Sequence, residues 1–230
     1  MPNFWSYIKN DKYAIGCTGQ TVYVYDSTGN ELSRFKDIIY AYTPMFCPKK
    51  NLFVVKSTDA NIAVYSLDTL QLIKKFRFSN YKASQDDGFC FSGDGIYFLN
   101  IERYVDRSCL SIYETSNFDR IKQLFLSEPS IVLQHIEYND ERDGLFVLGF
   151  VRGETGVGVN GSGFVAELVD DSLINRTKID NQRYEYILGY KRLQLMGFTA
   201  KSKEWSFLSL KNCDLENLEH VRLSDVIYNK

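Results

Sequence analysis

The chain has only 4 prolines in 230 residues, so little interrupts extended backbone. It has 2 histidines, His135 and His220, too few for a histidine-rich metal centre. Its 5 cysteines are odd in number. Cys17, Cys47, Cys90, Cys109 and Cys213 include no closely spaced pair, which argues against a zinc knuckle or a redox motif. They read as reduced thiols serving as small apolar side chains. The formal net charge is only −2; a protein held on nucleic acid by phosphate contacts needs a basic surface. No apolar run approaches the ~20 residues of a membrane span, and MPNFWSYIKNDKY lacks the apolar stretch of a signal peptide. A soluble, cytoplasmic protein without membrane or nucleic-acid partners is expected. No helical stripe of useful length competes with strands, although Phe164 to Leu173 admits a short helical reading.

What the chain has in abundance is Tyr and Phe, 16 of each, together with Val and Ile, the residues that suit a pleated, half-buried surface. They are arranged in five β-rich units of one design. The clearest unit reads PMFCPKKN, LFVVKSTDAN, IAVYSLDTLQ and LIKKFRFS, from Pro44 to Ser79. Turns are expected at Pro48–Asn51, Ser57–Asn61 and Leu67–Leu70. In IAVYS, Ile62 and Val64 point to one face, and Ala63 and Tyr65 to the other. Both parities are apolar, as in a sheet packed on both faces. Tyr25, Tyr65, Tyr113, Leu168 and Leu210 mark equivalent positions, spaced roughly 40 to 55 residues apart. The variation falls in turns, where insertions are tolerated. Asp26-Ser27-Thr28-Gly29-Asn30 and Ser92-Gly93-Asp94-Gly95 are strong turn signals.

FCFSGDGIYFL (Phe89 to Leu99) and VYVYDSTGNEL (Val22 to Leu32) resemble the turns and strands of WD-repeat and related bacterial propeller repeats. Tyr25–Asp26, Tyr65–Ser66 and Tyr113–Glu114 stand where that family has Trp-Asp, and no unit carries its Gly-His pair. The resemblance implies an all-β fold, a single β-propeller of four-stranded antiparallel blades; the five units, over about 3–37, 44–79, 88–127, 133–180 and 186–225, make a five-bladed ring, the preferred reading, or an incomplete propeller closed by a partner chain. RLSDVIYNK, at the end of the sequence, echoes RFKDIIYAY at Arg34 to Tyr42. It offers a segment that pairs with the first blade and closes the ring.

Chemistry is sparse. Gly156-Val157-Gly158-Val159-Asn160-Gly161 matches GxGxxG, but a dinucleotide site needs a following helix, and a strand is expected there. The Gly153–Gly163 stretch reads as a turn between strands. Glycosidase chemistry needs two or three convergent acids; Glu137, Asp86 and Asp87 are the candidates, while Asp140, Glu141 and Asp143 read as turn acids. Ser57 to Asn61 faintly resembles the Asp-box turn of sialidase-like propellers, without its aromatic partner. His135 and Glu137 share a strand face. No catalytic constellation, metal site or cofactor site assembles from these residues, and an enzyme is not the favoured reading.

Aromatics in connections carry the stronger signal. Tyr40, Tyr42, Tyr81, Tyr104 and Tyr184, with Arg107 and Arg183 and the nearby Arg103, supply the side chains that anchor protein interfaces. The expectation is a non-enzymatic platform whose partner is another protein or a peptide. The alternative is a propeller that takes a carbohydrate or other small ligand on carboxylates in its central channel.

Overall fold

In the computed structural model the described residues are 2–80, 88–104, 107–139, 144–151, 163–169, 172–179, 189–190, 194–199 and 204–209. They form an all-β structure of consecutive antiparallel sheets. Sheet 1 contains β1 (Ser6–Lys9), β2 (Tyr13–Cys17), β3 (Val22–Asp26) and β4 (Glu31–Phe35). Sheet 2 contains β5 (Ala41–Phe46), β6 (Leu52–Ser57), β7 (Asn61–Ser66) and β8 (Gln71–Arg77). Sheet 3 contains β9 (Phe89–Phe91), β10 (Tyr97–Arg103), β11 (Ser108–Glu114) and β12 (Asp119–Phe125). Sheet 4 contains β13 (Ile131–Asn139), β14 (Gly144–Val151), β15 (Gly163–Val169) and β16 (Ser172–Ile179). β17 (Gly189–Tyr190), β18 (Gln194–Thr199) and β19 (Glu204–Ser209) form a three-stranded sheet. Each sheet runs in chain order, strand beside strand. In the stretch that admits a helical reading, Phe164 to Leu173, residues 164–169 lie in β15 and 172–173 in β16.

Burial follows the order of strands. In sheets 1 to 3 the middle strands are nearly all buried, and β4, β8 and β12 are mostly exposed. Alternation then divides each middle strand between two neighbours. Phe53, Val55, Ala63 and Tyr65 of sheet 2 pack with Ile15, Cys17, Val22 and Val24 of sheet 1. Leu52, Val54, Ile62 and Val64, of opposite parity, pack with Phe89, Phe91, Phe98 and Tyr113 of sheet 3. Leu99, Ile101, Leu110 and Ile112 face Leu133, Ile136, Leu145 and Val147 of sheet 4. Three cores therefore lie between four successive sheets. This is why both parities of the middle strands are apolar.

The turns repeat as well. The pairing of third and fourth strands shifts register at Val24/Tyr25, Val64/Tyr65 and Ile112/Tyr113. A bulge at each equivalent place gives each outer strand the same added twist. The turn that follows needs a left-handed residue, and Gly29 (φ 90°), Leu70 (φ 52°) and Phe118 (φ 54°) supply it.

Candidate functional site

The link from β4 to β5 crosses one end of sheets 1 and 2. Its backbone is anchored on both sides. Ala41 N–H donates to Gly19 O at 2.9 Å, and Thr58 N–H donates to Tyr40 O at 3.3 Å. Ser57 Oγ donates to Ile39 O at 2.5 Å. Ile38 is fully buried between the two sheets, whereas Ile39 and Tyr40 are each 54% exposed. Tyr40 has φ 52°, a left-handed conformation that is unfavourable for a bulky side chain. Two residues on, β5 shifts register between Ala41 and Thr43. Tyr42 is the extra residue, and a bulge of this kind re-aims its side chain.

Trp5 completes the patch. Its N–H donates to Cys17 O at 2.8 Å, which holds it beside the turn carrying Gly19. Its indole covers Gly19 so closely that a Cβ there would lie 2.5 Å from the ring. Gly19 has φ 84°, so both space and backbone require glycine. The Trp5 and Tyr42 rings are 6.3 Å apart, and Ser6 Oγ donates to Tyr42 O. Trp5 remains 55% exposed. Trp5, Ile39, Tyr40 and Tyr42 thus put apolar and aromatic surface at one end of the junction between sheets 1 and 2.

Trp5 and Ile39 are the members that sequence reasoning missed, and for Trp5 a signal existed. Ala14 faces Tyr25 and Phe53 faces Tyr65. With those pairs superposed, Ser6 opposite Cys17 matches Thr43 opposite Lys56. Trp5 therefore stands in the first unit where Tyr42 stands in the second.

Tyr104 and Arg107 flank the turn from β10 to β11, and Tyr104 N–H donates to Arg107 O at 2.9 Å. Both side chains lie on Phe125. The Tyr104 ring meets it edge-on at 5.2 Å, and the Arg107 guanidinium sits 5.5 Å from its centroid. Tyr104 Oη accepts from Gln123 Nε2 at 2.8 Å. Gln123 also reaches Glu102 Oε2 at 3.2 Å and Ser111 Oγ at 3.3 Å. Glu102 is fully buried. It accepts from Tyr113 Oη at 2.8 Å and lies 3.8 Å from Arg120 Nη1. Burial, reinforced by the Glu102 charge, pushes the Tyr104 and Tyr113 phenols up. Tyr104 is therefore tied into a buried polar network, while Tyr40 is not.

On β13, His135 Nε2 is 3.8 Å from Glu137 Oε2, with both side chains about one-third exposed. The shared strand face does bring this pair together. Gly88 abuts it; a Cβ there would lie 3.0 Å from His135 Cα. Among the described residues no three His, Cys, Asp or Glu side chains gather as metal ligands. The described thiols are buried and free. Burial pushes Cys17 and Cys109 up to about 12 and raises Cys47 and Cys90. None of these is a ready nucleophile at neutral pH. Among the described residues no helix is long and apolar enough to cross a membrane. Tyr81, Arg183, Tyr184, Asp86, Asp87, Asp140, Glu141, Asp143, His220, Cys213 and the Gly156–Gly161 motif lie outside the described residues.

No protein-family model matches this chain, and no curated protein matches it. The functional reading therefore rests on the chain's own chemistry.

Proposed function

We propose that the chain is a five-bladed propeller acting as a non-enzymatic platform for a protein or peptide, gripped at the end of the sheets where Trp5, Tyr40 and Tyr42 lie. The order of the sheets supports the propeller. Sheets 1 to 4 pack each on the next through a shared core, the arrangement a radial repeat requires. The platform reading is carried by one observation above all. Tyr40 keeps a bulky side chain on a left-handed backbone while the residue stays 54% exposed. Such a conformation costs about 1–2 kcal/mol, and Asn or Gly would relieve it. Exposed packing does not offset that cost, so the ring has a use outside the fold. Tyr and Trp are also the side chains that concentrate binding energy at interfaces.

The test pairs binding with stability. Wild-type protein and a Trp5→Ser/Tyr40→Asn variant are used to capture partners from extract of the source cell, read by mass spectrometry. A protein recovered stoichiometrically with wild type should fall at least ~10-fold with the variant, the loss of one hot-spot contact. Tyr40→Asn alone should stabilise the fold by about 0.5–1 kcal/mol in urea titration, because Asn tolerates this backbone. Equal capture by both forms would remove this surface from the reading.

A further inference from the structure

A pocket of about 330 Å³ opens between sheets 2 and 3. It lies at the end of the sheets opposite the β4–β5 link. Lys50 enters it from the turn between β5 and β6, Ser116 and Phe118 from the turn between β11 and β12, and Lys74 from β8. Leu52 and Phe118, both buried, and Ile73, 55% exposed, give it an apolar lining.

Its two lysines are held differently. Lys74 Nζ donates to Asn117 O at 2.8 Å, to Phe118 O at 3.2 Å and to Asp119 Oδ1 at 2.8 Å. An ammonium has three N–H groups, so Lys74 is fully engaged, and Asp119 balances its charge. Lys50 Nζ donates to Thr115 Oγ1 at 2.7 Å. That hydroxyl directs its own proton to Gly95 O at 2.6 Å, so it receives Lys50 on a lone pair, as a neutral acceptor. Among the described residues no carboxylate, Glu114 included, pairs with Lys50. Other acids nearby are engaged: Asp68 accepts from Asn51 Nδ2 at 2.6 Å, and Asp94 from Ile96 N at 2.9 Å. The turns therefore fix a half-buried cation at the pocket, without a counter-ion and with two N–H groups beyond the Thr115 bond.

We infer that this pocket binds a carboxylate carried on a short apolar body, the chemistry shared by the apolar C-terminal residue of a peptide and by a free branched-chain acid. The carboxylate meets Lys50 Nζ and the exposed Ser116 hydroxyl, and the apolar body lies on Leu52, Ile73 and Phe118. Charge sets the class. One unbalanced ammonium matches one negative charge; a phosphate monoester carries about −1.5 to −2, and its surplus would face Asp119. An uncharged apolar ligand would strip water from Lys50 and return nothing to it. The site is distinct from the Trp5 and Tyr40 end, and it does not need the sheets to close into a ring.

The isotope-labelled full-length chain is titrated at low ionic strength with isocaproate, isocaproamide and acetate, and backbone amide shifts are followed by NMR. Isocaproate should shift the amides of Leu52, Ile73, Ser116 and Phe118 on one saturable curve, with a Kd on the order of 1–10 mM for so small a ligand. Isocaproamide, which lacks the charge, and acetate, which lacks the apolar body, should each bind at least ~10-fold more weakly. Lys50→Gln should weaken isocaproate by the same ~10-fold, whereas Lys50→Arg keeps the charge and should stay within ~3-fold of wild type. N-acetylleucine separates the two sources: tighter binding than isocaproate assigns a peptide end, and weaker binding a free acid. No saturable shift up to ~50 mM isocaproate, equal binding of acid and amide, or unchanged binding by Lys50→Gln would each overturn the inference. Should Lys50→Gln disturb amides beyond the pocket, Ile73→Ser, at an exposed position, takes its place. It should weaken isocaproate at least ~3-fold, and unchanged affinity there overturns the inference as well.

Discussion

Tyr65 shows at the scale of one residue how far this chain relies on aromatic stacking. Its ring lies 4.3 Å from Phe35 and 5.0 Å from Phe53, centroid to centroid, and it is fully buried. Its hydroxyl has no hydrogen-bond partner among the described residues, and burial pushes the phenol well up. An orphaned buried hydroxyl costs free energy that the stack must offset. Tyr65→Phe keeps both stacks and removes the orphan. It should stabilise the protein by about 1 kcal/mol, seen as a higher urea midpoint at unchanged slope. A lower midpoint would mean that the hydroxyl has a partner after all. Tyr40 is the opposite case, a residue whose ring contributes little to the fold. Sequence places Tyr65 on a strand face and Tyr40 in a connection, without saying how far either ring is covered. What separates them is φ and burial, which depend on the bulge at Tyr42 and on hydrogen bonds from Thr58 and Ser57, residues distant in sequence.

At the scale of elements, much was legible because each strand is local chemistry. The turn expected at Leu67–Leu70 lies between β7 and β8, and Asp26 to Asn30 is the turn between β3 and β4. The start of β5 was not legible. The sequence pattern starts the clearest unit at Pro44, yet β5 starts at Ala41. A bulge breaks the period-two alternation that announces a strand, so Ala41 to Thr43 reads as connection. The Asp26 turn supports its own prediction. Asp26 Oδ1 accepts from Thr28 Oγ1 at 2.7 Å, from Thr28 N at 2.9 Å and from Asn30 N at 2.9 Å. These bonds, the Thr28 hydroxyl first, lower the carboxyl from 3.8 to about 2. A carboxyl depressed in the folded state adds stability above its unfolded value and loses it as pH falls through the folded one. The turn's contribution is therefore complete above about pH 4 and lost toward pH 2. NMR titration of the Asp26 side chain should show a midpoint near 2. Thr28→Ala should move it back up toward the ordinary carboxylate range. An unchanged midpoint in that variant would assign the depression to the backbone donors and the Asn30 side chain instead.

At the scale of the whole molecule, the question is whether the sheets open one by one or together. Sheet 2 lends one face to the core with sheet 1 and the other to the core with sheet 3. Sheet 3 likewise serves two cores. Lysines of sheet 2 reach across on both sides. Lys75 Nζ donates to Asp37 O at 2.6 Å, Lys74 Nζ pairs with Asp119 Oδ1 at 2.8 Å, and Lys56 Nζ, buried, donates to Ile101 O at 2.8 Å. An open stack of such units frays from its ends. A closed ring has no end from which to fray. The thiols report the difference, because Cys17 lies in the core of sheets 1 and 2, Cys47 in that of sheets 2 and 3, and Cys90 in that of sheets 3 and 4. All three are buried and held as neutral thiols. Under pulsed alkylation in urea below the unfolding midpoint, a closed ring should label all three at a single rate, set by global unfolding. If Cys17 labels well ahead of Cys90, sheet 1 opens alone. The face of sheet 1 on which Phe4, Tyr7 and Tyr23 gather would then be an end of the stack and not a joint in a ring.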